Sequence, residues 1–302
     1  MTRMHVERIG PVITPASFGL RDRATIGKNI NGPSLMRVPA WVENPAGKYY
    51  LYFGHHKGSY IRLATAEHPE GPYTLYAPGV LHGKDTFVGR DRHLASPDII
   101  VHDEARRIDM YFHANIKGTG AFADQGQTTY RAESSDGLHF TADPTMLGPF
   151  YFRVFSHDGA WYAIAKNDNL DGMLLRSSDG RSEFERGPTF VPGFRHCAVL
   201  KRGNDLHVFY TRAFEKQESI MHAVMRLDGD WKTWTLAEPR LLLKPEHEWE
   251  GASLRMKRSS YGSTGKANAL RDPCIYEEAG KVYLLYSFKG ENGIAIARIH
   301  GV

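Results

Sequence analysis

The chain reads as an all-β protein: a five-bladed β-propeller with four-stranded antiparallel blades and an N-terminal strand closing the last blade. Three observations predict this. An aromatic-rich strand recurs five times, each copy stands behind a turn-forming cluster, and no helical periodicity intervenes between copies. The repeating unit is roughly 45 to 60 residues long, within the range of propeller repeats. We take 1–302 as a single five-bladed β-propeller domain.

The recurrent strand occupies residues 49–53 (YYLYF), 108–113 (IDMYFH), 161–165 (WYAIA), 206–210 (LHVFY) and 282–286 (VYLLY). Ahead of each lies a turn, such as Asn44-Pro45-Ala46-Gly47, His157-Asp158-Gly159 or Arg202-Gly203-Asn204-Asp205. Apolar segments precede the turns at 99–101, 198–200 and 274–276, so each unit opens with a β-hairpin. Third strands follow at 61–66, 129–134, 173–178, 220–225 and 294–299. Two of these run into Ser135-Asp136-Gly137 and Ser178-Asp179-Gly180, tight turns that start an outer fourth strand. The fifth unit ends without an outer strand, and His5–Ile13 has strand character but no unit of its own. It is therefore expected to complete blade five and remove two sheet edges. A generic β-sandwich produces similar strand and turn spacing and stays open as an alternative.

Composition narrows the partners. The 302 residues carry 38 Lys plus Arg against 34 Asp plus Glu, a net charge of +4, with the charges dispersed. This gives no nucleic-acid footprint. No apolar stretch approaches the roughly 18 residues of a membrane span, and the first residues lack a leader pattern. A cytoplasmic protein acting on a small polar partner is the resulting expectation, with no cofactor and an open oligomeric state. Cys197 and Cys274 have no metal or redox spacing and read as buried thiols.

In a propeller the innermost strand of each blade lines the central channel, so polar residues at the strand starts are the site candidates. These starts read Asn31-Gly32-Pro33-Ser34, Ser96-Pro97-Asp98, Tyr151-Phe152-Arg153, Arg195-His196 and Arg271-Asp272-Pro273. The separation from Val199 to Tyr210 equals that from Ile275 to Tyr286, which puts Arg195-His196 in register with Arg271-Asp272. The irregular stretch 244–270 holds Trp249-Glu250-Gly251-Ala252. A loop of that length is a functional candidate.

These blocks resemble the five-bladed furanosidase-like glycosidases, typified by glycoside hydrolase families 43, 32, 68, 117 and 130, and the chain looks like a one-domain, family-43-like branch of them. The resemblance implies a small saccharide or glycoside substrate and carboxylate acid/base catalysis. Family 43 places a carboxylate base in blade one, where this chain has Asn31-Gly32-Pro33-Ser34. The carboxylates near inner positions are Asp98, Glu250 and Asp272. Glycoside hydrolysis needs one carboxyl group protonated and a second ionised. Glu250 is the expected acid, because Trp249 could wall it with apolar surface, and Asp272 or Asp98 the base. Each also has a plain reading: local backbone bonding for Asp98, an ion pair with Arg271 for Asp272, and a solvated loop position for Glu250.

His56, His93, His113 and His196 are expected to bond sugar hydroxyls, since their spacing fits no compact metal motif. Arg153, Arg212 and Arg271, with Lys166, would favour an acidic saccharide, and Trp249 would stack on a sugar ring. Two other functions stay open: a sugar-acid lyase or isomerase using His196 or His113 as base, and a non-catalytic carbohydrate-binding propeller.

Overall fold

The computed structural model describes residues 4–262 and 265–302. The strand β1 (His5–Ile13) is followed by a five-residue helix, α1 (Leu20–Ala24), which no periodicity announced. Four sheets then come from consecutive strands. They are β2 (Asn31–Arg37), β3 (Tyr49–Gly54), β4 (Tyr60–Ala66) and β5 (Thr74–His82); β6 (Leu94–His102), β7 (Arg107–Ala114), β8 (Thr128–Ser134) and β9 (Thr141–Pro149); β10 (Arg153–His157), β11 (Ala160–Asn167), β12 (Asp171–Ser177) and β13 (Glu185–Phe190); and β14 (Phe194–Arg202), β15 (Asp205–Arg212), β16 (Ile220–Arg226) and β17 (Arg240–Leu243). The fifth has the order β1-β20-β19-β18, with β18 (Arg271–Glu278), β19 (Lys281–Ser287) and β20 (Ile294–His300). Five four-stranded antiparallel sheets are the fold class of a five-bladed β-propeller. The N-terminal strand supplies the missing outer strand, with Val6 opposite Ile299 and Arg8 opposite Ala297.

By compactness the chain forms two units. The first comprises Met1–Pro33, Asn169–Gly172 and Pro188–Val302, and the second Ser34–Asp168 and Met173–Gly187.

The aromatic motifs are the second strands of the sheets, and apart from Asp109, His113 and His207 they are apolar, because both faces are covered. Every residue of β3 is buried. In the second unit Tyr52 and Leu63 pack with Met110, Phe112 and Ala132, and Tyr111 packs with Phe152, Ala163 and Leu175. In the first unit Phe209 packs with Leu284, Tyr286 and Ala297. Fully burying such a side chain is worth about 1.5–3 kcal/mol.

The Ser-Asp-Gly turns account for two of the tyrosines in these strands. Tyr52 Oη donates to the Gly137 carbonyl at 2.7 Å, and Tyr111 Oη donates to the Gly180 carbonyl at 2.9 Å. The aromatic strand of one sheet is thus tied to the turn of the next. Within the turn, Asp136 Oδ1 accepts from the Leu138 and His139 amides, and Asp179 Oδ1 accepts from those of Arg181 and Ser182. Burial opposes the Asp136 charge, but hydrogen bonds led by those of His139 bring its pKa down to about 2. Gly137 has φ 76°, and a Cβ there would stand 2.7 Å from Tyr52 Oη. Gly203 has φ 58° and open space around it. Gly137→Ala should therefore lower unfolding free energy by about 1–3 kcal/mol, more than Gly203→Ala, because it adds a clash to the backbone strain. Urea midpoints read the difference, and equal losses would show that the tyrosine contact contributes nothing.

A histidine pair in β15 and β16 adds a pH-dependent term. His207 Nδ1 lies 3.0 Å from His222 Nε2, with the rings stacked. Burial, then His207 and Arg240, pushes His222 down to about 4. A folded pKa below the unfolded value of about 6.5 contributes stability that is complete above 6.5 and lost as pH falls towards 4. The slope is less than about 1.4 kcal/mol per pH unit, since the ring is only partly shielded. Urea midpoints should fall between pH 7 and 5 and fall less in His222→Phe; identical pH slopes in the two proteins would contradict this.

Candidate functional site

The inner strands of three sheets carry a β-bulge near their start. In β6 the register shifts between Ala95 and Asp98, in β14 between Phe194 and Cys197, and in β18 between Arg271 and Cys274. The bulged residues are Ser96-Pro97, Arg195-His196 and Asp272-Pro273. A bulge bends the strand and re-aims its side chains. Ser96 and Asp272 hold φ of 53° and 49°, left-handed values that cost a non-glycine residue about 1–3 kcal/mol and cluster at functional sites. Val199 faces Val208 and Ile275 faces Leu284, in keeping with the alignment of the two strands; the bulge falls one residue later in β18.

In the first unit these bulges assemble a buried charged network. His196 Nδ1 is ion-paired with Asp272 Oδ1, and Ser287 Oγ donates to Asp272 Oδ2 at 2.8 Å. Arg271 Nε donates to Glu218 Oε2 at 2.7 Å and its Nη1 to Glu291 Oε1 at 3.0 Å. Arg195 Nε lies 3.1 Å from Glu218 Oε1, and its Nη1 donates to the Ser260 carbonyl at 2.7 Å. Asn29 and Asn31 both donate to Glu291 Oε2. All these charged side chains are buried, Arg271 completely. Burial works against the Asp272 charge, yet His196, Ser287 and Arg195 hold its pKa below the usual carboxylate range. Glu291 is likewise lowered, burial and Asp272 being outweighed by Arg271, Arg195 and Asn29. Three carboxylates stand against two guanidinium groups, so the network is neutral when His196 is protonated. Such an arrangement can hold, donate and accept a proton at the imidazole while keeping Asp272 ionised.

The other expected residues lie apart from that network. Glu250 is fully buried; its Oε1 accepts from Arg8 Nε and Tyr286 Oη, and its Oε2 from the Glu246 and His247 amides. All four acceptor positions of the carboxylate are thereby filled, leaving none for a ligand. This geometry gives Glu250 the job of tying β1 and β19 to the 246–250 turn, and it is not solvated. Trp249 is half-buried, stacks on His247 and meets Phe288 edge-on. Arg212 is half-buried, 3.6 Å from Glu215. Asp272 is not held by its sequence neighbour Arg271, whose bonds go to Glu218 and Glu291.

The second unit gathers a different set. Asp98 Oδ2 accepts from the Val154 amide at 2.8 Å, bonding backbone of another blade rather than its own turn, and Oδ1 lies 4.0 Å from Arg153 Nε. Burial raises the Asp98 pKa against the pull of Arg153 and that amide. His56, His93 and His113 form a chain, with ring centroids 6.1 and 5.3 Å apart. His113 also contacts Tyr151 at 4.5 Å, and Lys166 Nζ sits over the Phe150 ring at 5.0 Å. Burial, then Arg62, His93 and His56, pushes the adjacent His55 down to about 3. Among the described residues no cluster of His, Cys, Asp and Glu is arranged to hold a metal ion. No described helix is long and apolar enough to cross a membrane.

Glu218, Glu291 and Asn29 were not expected. The two glutamates occupy equivalent connections, between the second and third strands of the fourth and fifth sheets. Extending the blade alignment from strands to these connections would have drawn attention to both.

The chain has the five-bladed fold of the family-43-type glycoside hydrolases. It superposes on the GH43_1 enzyme from Xanthomonas citri with a TM-score of 0.62 and 14% identity, over 98% of this chain and 92% of that one. An exo-1,5-α-L-arabinanase from a bovine ruminal metagenomic library gives 0.55 and 13%, over 90% and 92% of the two chains. An N-acetylgalactosamine deacetylase from F. plautii, in complex with blood group B trisaccharide, gives 0.57 and 12%, over 97% and 94%. Identities this low carry the fold alone. No family model matches the chain. An uncharacterised protein of Acanthamoeba polyphaga mimivirus is 31% identical over 305 residues, covering 90% of this chain and 83% of the viral protein. The chain belongs to the family of that mimivirus protein.

Proposed function

We propose that this protein is a glycoside-hydrolase-like enzyme acting on a small saccharide, with His196 as the group that transfers the proton and Asp272 as the carboxylate that orients it. The observation that carries the reading is the buried His196–Asp272 pair on two bulged inner strands. A carboxylate on Nδ1 fixes the imidazole tautomer and stabilises its charged form, leaving Nε2 as the nitrogen through which a proton is exchanged. In hydrolysis the protonated ring would give its proton to the leaving oxygen as the glycosidic bond breaks, water would form the new bond at the anomeric carbon, and the proton that water releases would return to the imidazole. Asp272, kept ionised, would stabilise the imidazolium before the transfer and hold the neutral ring in place after it. Neighbours that act on saccharides support a saccharide ligand, and a scaffold hosting both an arabinanase and a deacetylase requires the site rather than the fold to decide the reaction.

The same pair supports a second reading, proton abstraction from a sugar acid, because the network offers guanidinium groups and no carboxylate pair left unbonded. The test is incubation of the purified protein with a panel of arabinosides, xylosides, galactosides, uronates and N-acetylated sugars, with products read by mass spectrometry. Gain of water with two sugar products supports hydrolysis. An unsaturated product supports elimination instead, and an unchanged panel overturns both.

A further inference from the structure

Beside the network lies a cavity of about 360 Å³ in the first unit, lined by five cations, Arg255, Lys257, Arg258, Lys266 and Arg271, and by a single carboxylate, Glu218. Its volume suits one or two sugar rings. The charge is not neutralised internally. Glu218 is already shared by Arg271 and Arg195, while Arg255, Lys257 and Lys266 make no ion pair among the described residues. Arg258 donates only to the Phe214 carbonyl. Arg271 is wholly buried, yet its Nη2 has no hydrogen-bond partner, although its Nε and Nη1 are both bonded. A buried guanidinium nitrogen left unbonded is costly, and an anion that accepts from it while sitting among the four outer cations would remove that cost.

We infer that this cavity binds the anionic group of an acidic saccharide, with Arg271 Nη2 as the inner donor and Lys257, Lys266, Arg255 and Arg258 as the outer cations. The inference rests on the saccharide reading above and sharpens it, since Arg271 is the sequence neighbour of Asp272 and shares Glu218 with the neighbour of His196. An anion held there would be anchored to the two strands that carry the proton-transfer pair.

The experiment measures binding by calorimetry, so it does not depend on turnover. The ligands are glucuronate, galacturonate, glucose 6-phosphate and inorganic phosphate, each compared with glucose or galactose. At least one sugar anion should bind at least about tenfold more tightly than its neutral parent, with affinity falling as salt rises. Preference for the uronates over the phosphates identifies a carboxylate ligand, and the reverse a phosphoryl ligand; inorganic phosphate binding as tightly as the sugar phosphate shows that the anion alone is read. The double variant Lys257→Ala/Lys266→Ala should lose about tenfold of that affinity, and Lys281→Ala, a remote exposed cation, none. Equal affinity for anionic and neutral sugars, no binding of any anion, or undiminished binding in the double variant would each overturn the inference. If neutral glycosides are hydrolysed while anions gain nothing, this inference fails and the enzymatic reading stands; if anions bind but nothing is turned over, the reverse holds.

Discussion

Arg271→Met will lower the unfolding free energy by about 3–5 kcal/mol at pH 7, the range for removing one partner of a buried ion pair. Arg271 is fully buried and bonds Glu218 and Glu291, also buried. Methionine fills much of the volume but leaves Arg195 as the remaining guanidinium for two carboxylates. The pH dependence separates this cause from simple cavity formation. In the native protein Glu291 is held below its ordinary pKa, so its contribution is present above about 4.3 and is lost as pH falls below that value. Without Arg271 the desolvation that Arg271 outweighs would raise the Glu291 pKa above the unfolded value, and the variant should regain stability on acidification from pH 7 to 5 relative to the native protein. Adding Glu291→Gln should recover part of the loss at pH 7. Urea midpoints at both pH values measure this; a loss under about 1 kcal/mol, or one unchanged by pH, would show that the network does not hold Arg271 as a counter-ion.

His196→Asn and Asp272→Asn should each reduce kcat by about 10²–10⁴-fold, the range for removing a positioned acid or base. The two should not add. Asp272 acts through the imidazole that it orients, so the double variant should be no slower than about threefold below the worse single variant. A positioning role for Asp272 also moves the pH profile: with the carboxylate gone, the limb assigned to His196 should shift to lower pH, because the imidazolium loses its stabilising charge. Asp272→Glu should restore part of the rate if its carboxylate reaches Nδ1. Additive losses with an unmoved pH profile would mean that the residues act independently.

Much of the architecture was legible because it is periodic. Five aromatic strands at similar spacing, with turns ahead of them, suffice to place β3, β7, β11, β15 and β19, and the unfilled outer position of the fifth sheet assigns β1. Register was legible too, since the equal spacing of Val199 to Tyr210 and Ile275 to Tyr286 put His196 level with Asp272, and these two meet. What lay beyond reading was chemistry carried by connections and by distant chain. Glu218 and Glu291 sit in hairpin loops whose conformation follows no period, and Glu291 reaches the network through a left-handed φ of 74°. Glu250 was read from its neighbour Trp249, an apolar wall. Its real environment is set by Arg8, 242 residues away, and by Tyr286, and neither leaves a local trace beside Trp249.

The most direct measurement is kcat on whichever glycoside of the panel is cleaved fastest, for native protein and for His196→Asn at matched unfolding midpoints. Turnover by the native protein and a loss of at least about 100-fold in the variant are expected. Equal turnover by the two proteins, with their folds equally stable, would contradict a role for His196 in proton transfer.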